Sequence, residues 1–522
     1  MSRVRRRHPI GREVLEEELI MNGTRRMLGA RKPRGLGLIV AIALVTGACN
    51  ATASPSASTA SQPPASQVAV APSVVTITPQ PLPDTGPGPN GGTIVRWFIG
   101  LGSGGQPQQV AAEQKAANDF NAAQKEIFLS VEIYDNKVAS SILKTQIAAG
   151  TAPDIIGPVG VEGLNLFRDQ LLDLSSLVAS QNYDTSKVDP ALNDFFKMGE
   201  GNALIGLPFA TYPSYLYFNK DLFDEAKLPY PPTKVGEKYQ GKDWDMAALR
   251  DLAMKLTVDK NGNDATNAAF DATSVIQWGF DMQWTNNSPL AETSLFGASS
   301  FVGADGKTAQ IPEPVSVGEK WFNDGVWKDH FIPNANQINS DLLDKGNEFE
   351  SGNLAMDETH SWYTCCVDPA APAKPKVKNF GFAITPSYNG KITAKLHADT
   401  FSLLKTSKHP DLAFKVMALL LDSGDLITNY GAFPADKSKQ QAFFDSVNAS
   451  YPGIKLDWAV PQAMLAYPDI PNHQSWTPNY AKYNTAIQAF QNKYRTTAGT
   501  DIDAELSTLK TTLQGIFDEA TP

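Results

Sequence analysis

Aromatic rings and one pair of adjacent cysteines carry the most specific chemistry in this 522-residue sequence. Tryptophan occurs nine times, and its ring offers a flat apolar face on which a ligand can stack. Cys365 and Cys366 are neighbours, so in an oxidising compartment each is the nearest partner of the other, and we predict a vicinal disulfide. The alternatives are two buried small hydrophobic residues or an intermolecular link. No histidine clusters with the pair, which disfavours a metal site.

Catalytic motifs are missing from the sequence. It contains no Gly-x-Ser-x-Gly, His-Glu-x-x-His, P-loop or dinucleotide-binding fingerprint. Residues 259–264 alternate oxygen-bearing side chains like a calcium loop, but they lack glycine at position 6 and glutamate at position 12, so we interpret them as an exposed turn. We expect no cofactor, no metal and no enzyme. Paired carboxylates among the 55 acidic residues leave a secreted glycosidase as an alternative.

The N-terminus is typical of an export signal. Residues 36–45 form an apolar run between a basic stretch and a small-residue stretch that ends at Cys49. Such a run rises about 15 Å as a helix, half of a bilayer core, so a membrane span is not expected. The site resembles a bacterial lipobox, with Thr46 where leucine is usual. We predict a signal peptide over 1–48 and acylation of Cys49; an ordinary cleaved signal is the alternative. The start codon stays open, because Met21 and Met27 also precede the basic stretch.

Residues 49–92 form a predicted lipid-anchored, disordered linker. They are rich in alanine, serine, threonine and proline, and Asp84 is their one charged residue, so they cannot bury enough apolar surface to fold. As a coil they reach about 40 Å from the membrane. Ten basic and four acidic residues lie in the first 34 positions, so the rest of the chain carries a net charge of about −16. Such an acidic body disfavours nucleic acid and anionic lipid as partners.

The folded body begins at Thr93 and alternates strands with helices. Its first five elements predict a parallel sheet, whose carboxyl-end loops 98–106, 134–139 and 157–163 should meet at one crevice. Hydrophobic periodicity predicts strands at 94–99, 128–133, 154–156, 278–280, 380–382 and 397–404, and helices at 110–123, 141–149, 244–256, 315–323, 339–350, 410–421, 480–494 and 503–517.

Several motifs occur in the order of a known family. They are Lys-Thr-Gln-Ile-Ala-Ala-Gly-Thr-Ala-Pro-Asp-Ile at 144–155, Gly-Leu-Pro-Phe-Ala-Thr-Tyr at 206–212, Tyr-Phe-Asn-Lys-Asp-Leu-Phe at 217–223, Phe-Glu-Ser-Gly-Asn-Leu-Ala-Met at 349–356, Ser-Lys-His-Pro at 407–410 and Trp-Thr-Pro-Asn-Tyr at 476–480. Together with Leu256-Thr257 and the turn at 259–262, they resemble the family 1 extracellular solute-binding proteins of ABC transporters, the group that includes maltose-binding protein. The resemblance covers about 93–522.

This resemblance implies an α/β, two-lobed periplasmic-binding-protein type II fold, with a hinge crossed two or three times. By motif, lobe 1 comprises 93–208 plus 397–430, and lobe 2 comprises 212–395 plus 435–522. The crossings fall near 207–211, 396–400 and 431–435. Pro208, Gly431 and Pro434 are consistent with hinge positions, because they interrupt regular strand pairing.

Candidate ligand-binding residues follow from the resemblance and from the chemistry of sugars. A sugar presents apolar C–H faces and a rim of hydroxyls, so aromatic rings and planar polar groups suit it. We predict ligand contacts from Tyr212, Tyr215, Trp284, Trp362, Asp399, Trp458 and Trp476. Packing in the hinge or the core is the alternative for each of them. The Cys365–Cys366 turn could add a flat surface close to Trp362.

The resemblance implies a substrate-binding protein of an ABC importer. Its expected partners are a sugar or oligosaccharide and the transmembrane permease subunits, and its contact with the membrane is through the lipid anchor alone. We expect a monomer located outside the cytoplasm. A ligand-presenting sensory protein is a further alternative to the glycosidase, because it would use the same fold.

Overall fold

One mixed sheet organises the part of the chain described by the computed structural model, which covers residues 86–102, 107–197, 200–283, 289–365, 367, 377–430, 432–471 and 476–519. The strands are β1 (Thr93–Ile99), β2 (Ile127–Ile133), β3 (Ile155–Val159), β4 (Leu207–Asn219), β5 (Val258–Asp259), β6 (Val275–Gln277), β7 (Met356–His360), β8 (Phe380–Ala383) and β9 (Leu396–Leu403). The sheet order is β2-β1-β3-β9-β4-β7, with β8 also paired to β4; β5 and β6 form a separate pair.

Helices alternate with the strands along the chain and pack on the sheet. They are α1 (Pro107–Ala123), α2 (Asn136–Ala148), α3 (Val161–Phe167), α4 (Ser175–Ser180), α5 (Pro190–Phe195), α6 (Lys220–Ala226), α7 (Met246–Leu256), α8 (Pro289–Glu292), α9 (Glu313–Trp327), α10 (Ala335–Ile338), α11 (Pro410–Leu421), α12 (Gly424–Tyr430), α13 (Gln440–Ser450), α14 (Ala459–Met464), α15 (Tyr480–Thr496) and α16 (Ile502–Phe517). Short 3₁₀ turns lie at Arg168–Gln170, Glu200–Asn202, Thr293–Phe296, Asp341–Leu343, Ser361–Cys365 and Lys437–Lys439. Among the described residues, no helix is both long enough and apolar enough to cross a bilayer.

The parallel start of the sheet is confirmed. β1 pairs in parallel with both β2 and β3, and β9 then adds antiparallel to β3. Asn136 Nδ2 donates to the carbonyl oxygens of Gly100 and Gly102, and a Cβ on Gly102 would lie 2.9 Å from the amide nitrogen of Gly160. The described parts of the three predicted loops therefore meet at one edge of the sheet.

β4 joins two regions of the sheet. Its first half, from Leu207 to Pro213, pairs with β9, whereas its second half, from Ser214 to Asn219, pairs with β7 and β8. A third segment crosses beside it, where the amide of Thr211 donates to the Phe433 carbonyl oxygen. Three stretches of chain thus run side by side at the junction.

Two predicted elements are wrong. The helix predicted over 339–350 is a short 3₁₀ turn followed by Asp344, Lys345 and Gly346, which all have positive φ and so cannot continue a right-handed helix. The strand predicted at 278–280 is an isolated bridge between Trp278 and Leu354. There the chain packs tightly on α7, because a Cβ on Gly279 would lie 2.0 Å from the Ala253 carbonyl oxygen.

Several helix boundaries follow from local chemistry. Asp245 caps α7 by accepting a bond from the amide of Ala248, and the apolar residues of α7 recur at helical spacing toward the core. Pro410 occupies the first turn of α11, where its missing N–H costs nothing. Helix α2 begins at Asn136, five residues before the predicted start, because Asp135 caps it.

A buried ionic network lies inside predicted lobe 2. Arg495 contacts the carboxylates of Asp281 and Glu292, and Glu292 also accepts bonds from Gln491 and Tyr494. All five side chains are buried. Charges removed from water in this way require mutual pairing, so the network ties α15 to the segments around 281 and 292.

Candidate ligand-binding site

The junction of β4 and β9 places the first candidate side chains. Tyr212 on β4 is opposite His397 on β9, and Ala210 is opposite Asp399. Side chains alternate between the faces of a strand, so these four residues share one face of the sheet. Strand β7 ends next to them and continues into the turn that carries Trp362.

Tyr212 and Trp362 form an aromatic surface at this junction. Their ring centroids are 5.2 Å apart, and the Trp362 ring also lies 4.1 Å from the His360 ring and 5.0 Å from the His397 ring. His360 is buried and its Nδ1 lies 2.6 Å from the Tyr212 carbonyl oxygen. Trp362 is half-buried, so its indole is fixed by its neighbours and keeps exposed surface.

Asp399 is the carboxylate next to this surface. Its Oδ2 accepts hydrogen bonds from the hydroxyls of Tyr212, at 3.2 Å, and Tyr430, at 2.5 Å. Its Oδ1 faces Gly160, at 3.4 Å from the position that a Cβ on this glycine would take. Burial raises the pKa of the Asp399 carboxyl, and the two phenol bonds act in the opposite direction. With Oδ2 held by two donors, Oδ1 is the oxygen left to accept a bond from a ligand hydroxyl.

Trp476 lies against Arg168, a residue distant from it in the sequence. The guanidinium carbon of Arg168 is 4.3 Å from the centroid of the Trp476 ring. Arg168 directly follows α3, which packs on β3 and β9, while Trp476 precedes α15, which packs on α9 and α16. The structure thus pairs Trp476 with Arg168.

Tyr215 and Trp458 lie in the hydrophobic core. Tyr215 is 0 % exposed and its hydroxyl is 3.0 Å from that of Tyr217. It is three positions after Tyr212, an odd number, so along a strand it points to the opposite face. Trp458 is 7 % exposed, and its ring stacks on Phe444 with 4.6 Å between centroids. Neither ring presents a free face at the junction.

Other predicted positions lie outside the described residues. These are Cys49, Trp284, Gly431 and Cys366, together with the side chain of Cys365. The acylation of Cys49, the vicinal disulfide and the ligand contact of Trp284 therefore stay predictions.

The calcium-like segment is a hydrogen-bonded turn. The Asp259 carboxylate accepts bonds from the amides of Asn261, Asn263 and Asp271. Its oxygens therefore serve the backbone of their own loop. Within the described part of the chain, no group of three or more His, Cys, Asp or Glu residues is placed to hold a metal ion.

Comparison with known proteins decides the family. The sequence profile described as "bacterial extracellular solute-binding protein" matches residues 103–425. The chain belongs to this family. A search of the curated proteins gave no match to this solute-binding protein.

Solved structures of solute-binding proteins share the fold over most of the chain. UspC of Mycobacterium tuberculosis is 20 % identical with a TM-score of 0.63, covering 81 % of this chain and 100 % of UspC. A sugar transporter protein of Rhizobium etli, in an open conformation, is 19 % identical with a TM-score of 0.61, covering 81 % and 99 %. An ABC transporter solute-binding protein of Thermotoga lettingae, bound with α-D-tagatose, is 18 % identical with a TM-score of 0.55, again covering 81 % and 99 %. The predicted α/β, two-lobed fold is confirmed.

Four residues at these two places were missed by sequence reasoning. His360, His397 and Tyr430 surround Trp362 and Asp399, and Arg168 faces Trp476. A signal existed for His397, because it is two residues before Asp399 on the same predicted strand and must share its face. Nothing in the local sequence of Arg168 indicates its distant partner.

Proposed function

We propose that this solute-binding protein captures a sugar or oligosaccharide between its two lobes and delivers it to the permease of an ABC importer. The observation that carries the proposal is the Tyr212–Trp362 surface beside Asp399 at the strand junction. An aromatic face next to a hydroxyl acceptor matches the two surfaces of a sugar ring. The Rhizobium etli protein, named a sugar transporter, and the tagatose-bound Thermotoga lettingae protein support the same ligand class.

Each proposed site residue has a distinct role. The Trp362 indole stacks on the C–H face of the sugar, and Asp399 Oδ1 accepts a hydroxyl. Tyr212 holds both groups in place, since its ring packs on Trp362 and its hydroxyl binds Asp399. Trp284 is retained as a proposed contact from the sequence. Tyr215 and Trp458 support the fold around the site rather than the ligand, given their burial.

The proposed lobes are 93–208 plus 397–430 and 212–395 plus 435–522. Closure rotates one lobe against the other about the crossing segments, and a ligand bound to both lobes shifts the population toward the closed form. The permease recognises that form, and the transporter's ATPase supplies the energy, so this chain needs no nucleotide site.

The proposed location is outside the cytoplasm, on the membrane. The signal peptide over 1–48 is removed, Cys49 is acylated, and residues 49–92 tether a monomeric binding body. The lipid anchor is the proposed membrane contact.

Two experiments test this function. A thermal-shift screen of saccharides, polyols and polyamines should give a higher unfolding midpoint with at least one saccharide, because a ligand that binds the native state alone stabilises it. Incubation of the purified protein with the same oligosaccharides should release no reducing ends. Released reducing ends would establish a glycosidase instead.

A further inference from the structure

Arg168 and Trp476 make a contact between the two proposed lobes. The guanidinium carbon of Arg168 lies 4.3 Å from the Trp476 ring centroid, within the range of a cation–π interaction. Helix α3, which Arg168 follows, also contacts α15, which Trp476 precedes. Both side chains are half-buried, so the interaction is partly shielded from water.

The helices next to these two residues pack into separate hydrophobic cores. Leu164 and Phe167 of α3 are buried in the core that includes β1 and β3. Tyr483 and Ile487 of α15 are buried in the core that includes α9 and α16. Neither Arg168 nor Trp476 is on β4 or β9, so the contact lies outside the strands that cross between the proposed lobes.

We infer that Arg168 is a positioning residue for ligand binding, which stacks on Trp476 and holds the lobes closed at this end of the cleft. The contact follows from the geometry alone. Its effect on ligand capture rests on the proposed function. We call the Arg168–Trp476 contact the clasp. Because it joins one lobe directly to the other, it favours the closed arrangement whether or not ligand is bound.

The size of the effect follows from the interaction. A cation–π pair contributes least when it is exposed and most when it is shielded from water. This range corresponds to about a two- to thirty-fold change in an equilibrium constant. If the closed form binds ligand tightly, the apparent affinity scales with the closed fraction. Removing the clasp should therefore weaken binding by up to the same factor. Lysine keeps the charge and lacks the planar face, so it should recover a minor part of the effect.

The same contact has a second physical consequence, in which Arg168 weakens ligand binding instead of supporting it. If Arg168 covers the face of Trp476 on which a sugar must stack, the guanidinium competes with the ligand. Removing it would then tighten binding. We call this second role a plug. Weaker binding by Arg168→Ala indicates the clasp, whereas tighter binding indicates the plug.

The experiment compares wild type with Arg168→Ala, Arg168→Lys and the control Arg250→Ala. Arg250 is a matched control, because it pairs with Asp329 inside lobe 2 and does not cross the cleft. Small-angle scattering of the proteins without added sugar measures the radius of gyration, and calorimetry with the saccharide from the thermal-shift screen measures affinity. We expect Arg168→Ala to have the larger radius and about two- to thirty-fold weaker binding, with Arg168→Lys close to it and Arg250→Ala unchanged.

The outcomes are distinguishable. Tighter binding by Arg168→Ala would overturn the clasp in favour of the plug, and unchanged radius together with unchanged affinity would overturn both. If no saccharide binds any variant, the proposed function fails, and an unchanged radius in Arg168→Ala is then enough to reject the clasp.

Discussion

The hydroxyl of Tyr212 donates to Asp399 Oδ2 across 3.2 Å, from β4 to the neighbouring strand β9. The two strands already pair through their backbones, so this bond adds a side-chain link where the proposed lobes meet. Because the same tyrosine packs on Trp362, a ligand that contacts Trp362 and Asp399 touches the crossing segments directly. In the proposed function, ligand binding and lobe movement therefore share residues.

Replacing Trp362 with alanine should weaken sugar binding at least about tenfold, because the stacking face is lost from a site whose other walls stay in place. Isothermal titration with the saccharide found by the screen measures this. Trp327→Phe is the matched control: Trp327 is half-buried in lobe 2, where its Nε1 donates to the Tyr494 carbonyl oxygen. Its affinity should equal that of wild type. Equal affinity in Trp362→Ala would remove this ring from the site.

Asp399→Asn should reduce affinity by about tenfold or more, the usual worth of a hydrogen bond to a charged group. Tyr430→Phe tests the supporting bond. Without one phenol donor the Asp399 pKa rises. This variant should therefore bind like wild type at high pH. On acidification, its affinity should begin to fall at a higher pH than that of wild type. A pH profile identical to that of wild type would show that Tyr430 does not hold the carboxylate.

Tyr215→Phe should lower the free energy of unfolding by about 1 kcal/mol and leave the dissociation constant unchanged. The removed hydroxyl bonds Tyr217 in the core, and Tyr217 keeps its other bond, to the His360 carbonyl oxygen. Urea unfolding and titration calorimetry provide the two numbers. Weaker binding with unaltered stability would instead place Tyr215 at the ligand.

The folded protein should lose stability as the pH rises from about 4.5 to 7. Burial raises the pKa of Glu358 from 4.5 to about 7, and it raises the pKa of Glu319, Glu348 and Asp357 well above the usual values. In this window the unfolded chain releases protons that the folded chain retains, so deprotonation favours unfolding. Burial lowers the pKa of His330, which opposes the trend by at most one proton.

Chemical denaturation at several pH values across that window tests the trend. Glu319→Gln removes one contributing group and keeps its shape, so the slope of stability against pH should become shallower. Stability that increases steadily across the window would contradict the account of these buried acids.

Cys49→Ser should release the protein into the medium in the native host, because the acyl chains have no attachment point. Fractionation of cells with the wild type in parallel measures this. A variant that stays with the membrane would exclude lipid anchoring through this cysteine.

Local patterns predicted many of the regular elements. Strand β9 and helix α11 follow from an apolar strand and from a proline that starts a helix, both signals carried within a few residues. The helix expected over 339–350 failed because successive residues adopt positive φ, and Asp344 and Lys345 give no strong warning of this. Backbone conformation there depends on surrounding packing that periodicity does not report.

The site was predicted less completely than the fold. Trp362 and Asp399 came from motif position, but the strand register that brings them together required β4, β7 and β9 to be placed. Tyr215 was expected in the cleft because it follows the motif at 206–212, and strand alternation sends it to the core instead. Arg168 and Trp476 meet only through tertiary packing, so neither local sequence predicts the pair.

Titration calorimetry of the mature protein with the stabilising saccharide, with Trp362→Ala and Asp399→Asn measured in parallel, tests whether a sugar binds at the Tyr212–Trp362 surface. We expect one sugar per chain in the wild type, about tenfold or greater weakening in each variant, and recovery of the sugar unaltered. Binding that both variants retain at full strength, or a sugar recovered in hydrolysed form, would contradict the proposal.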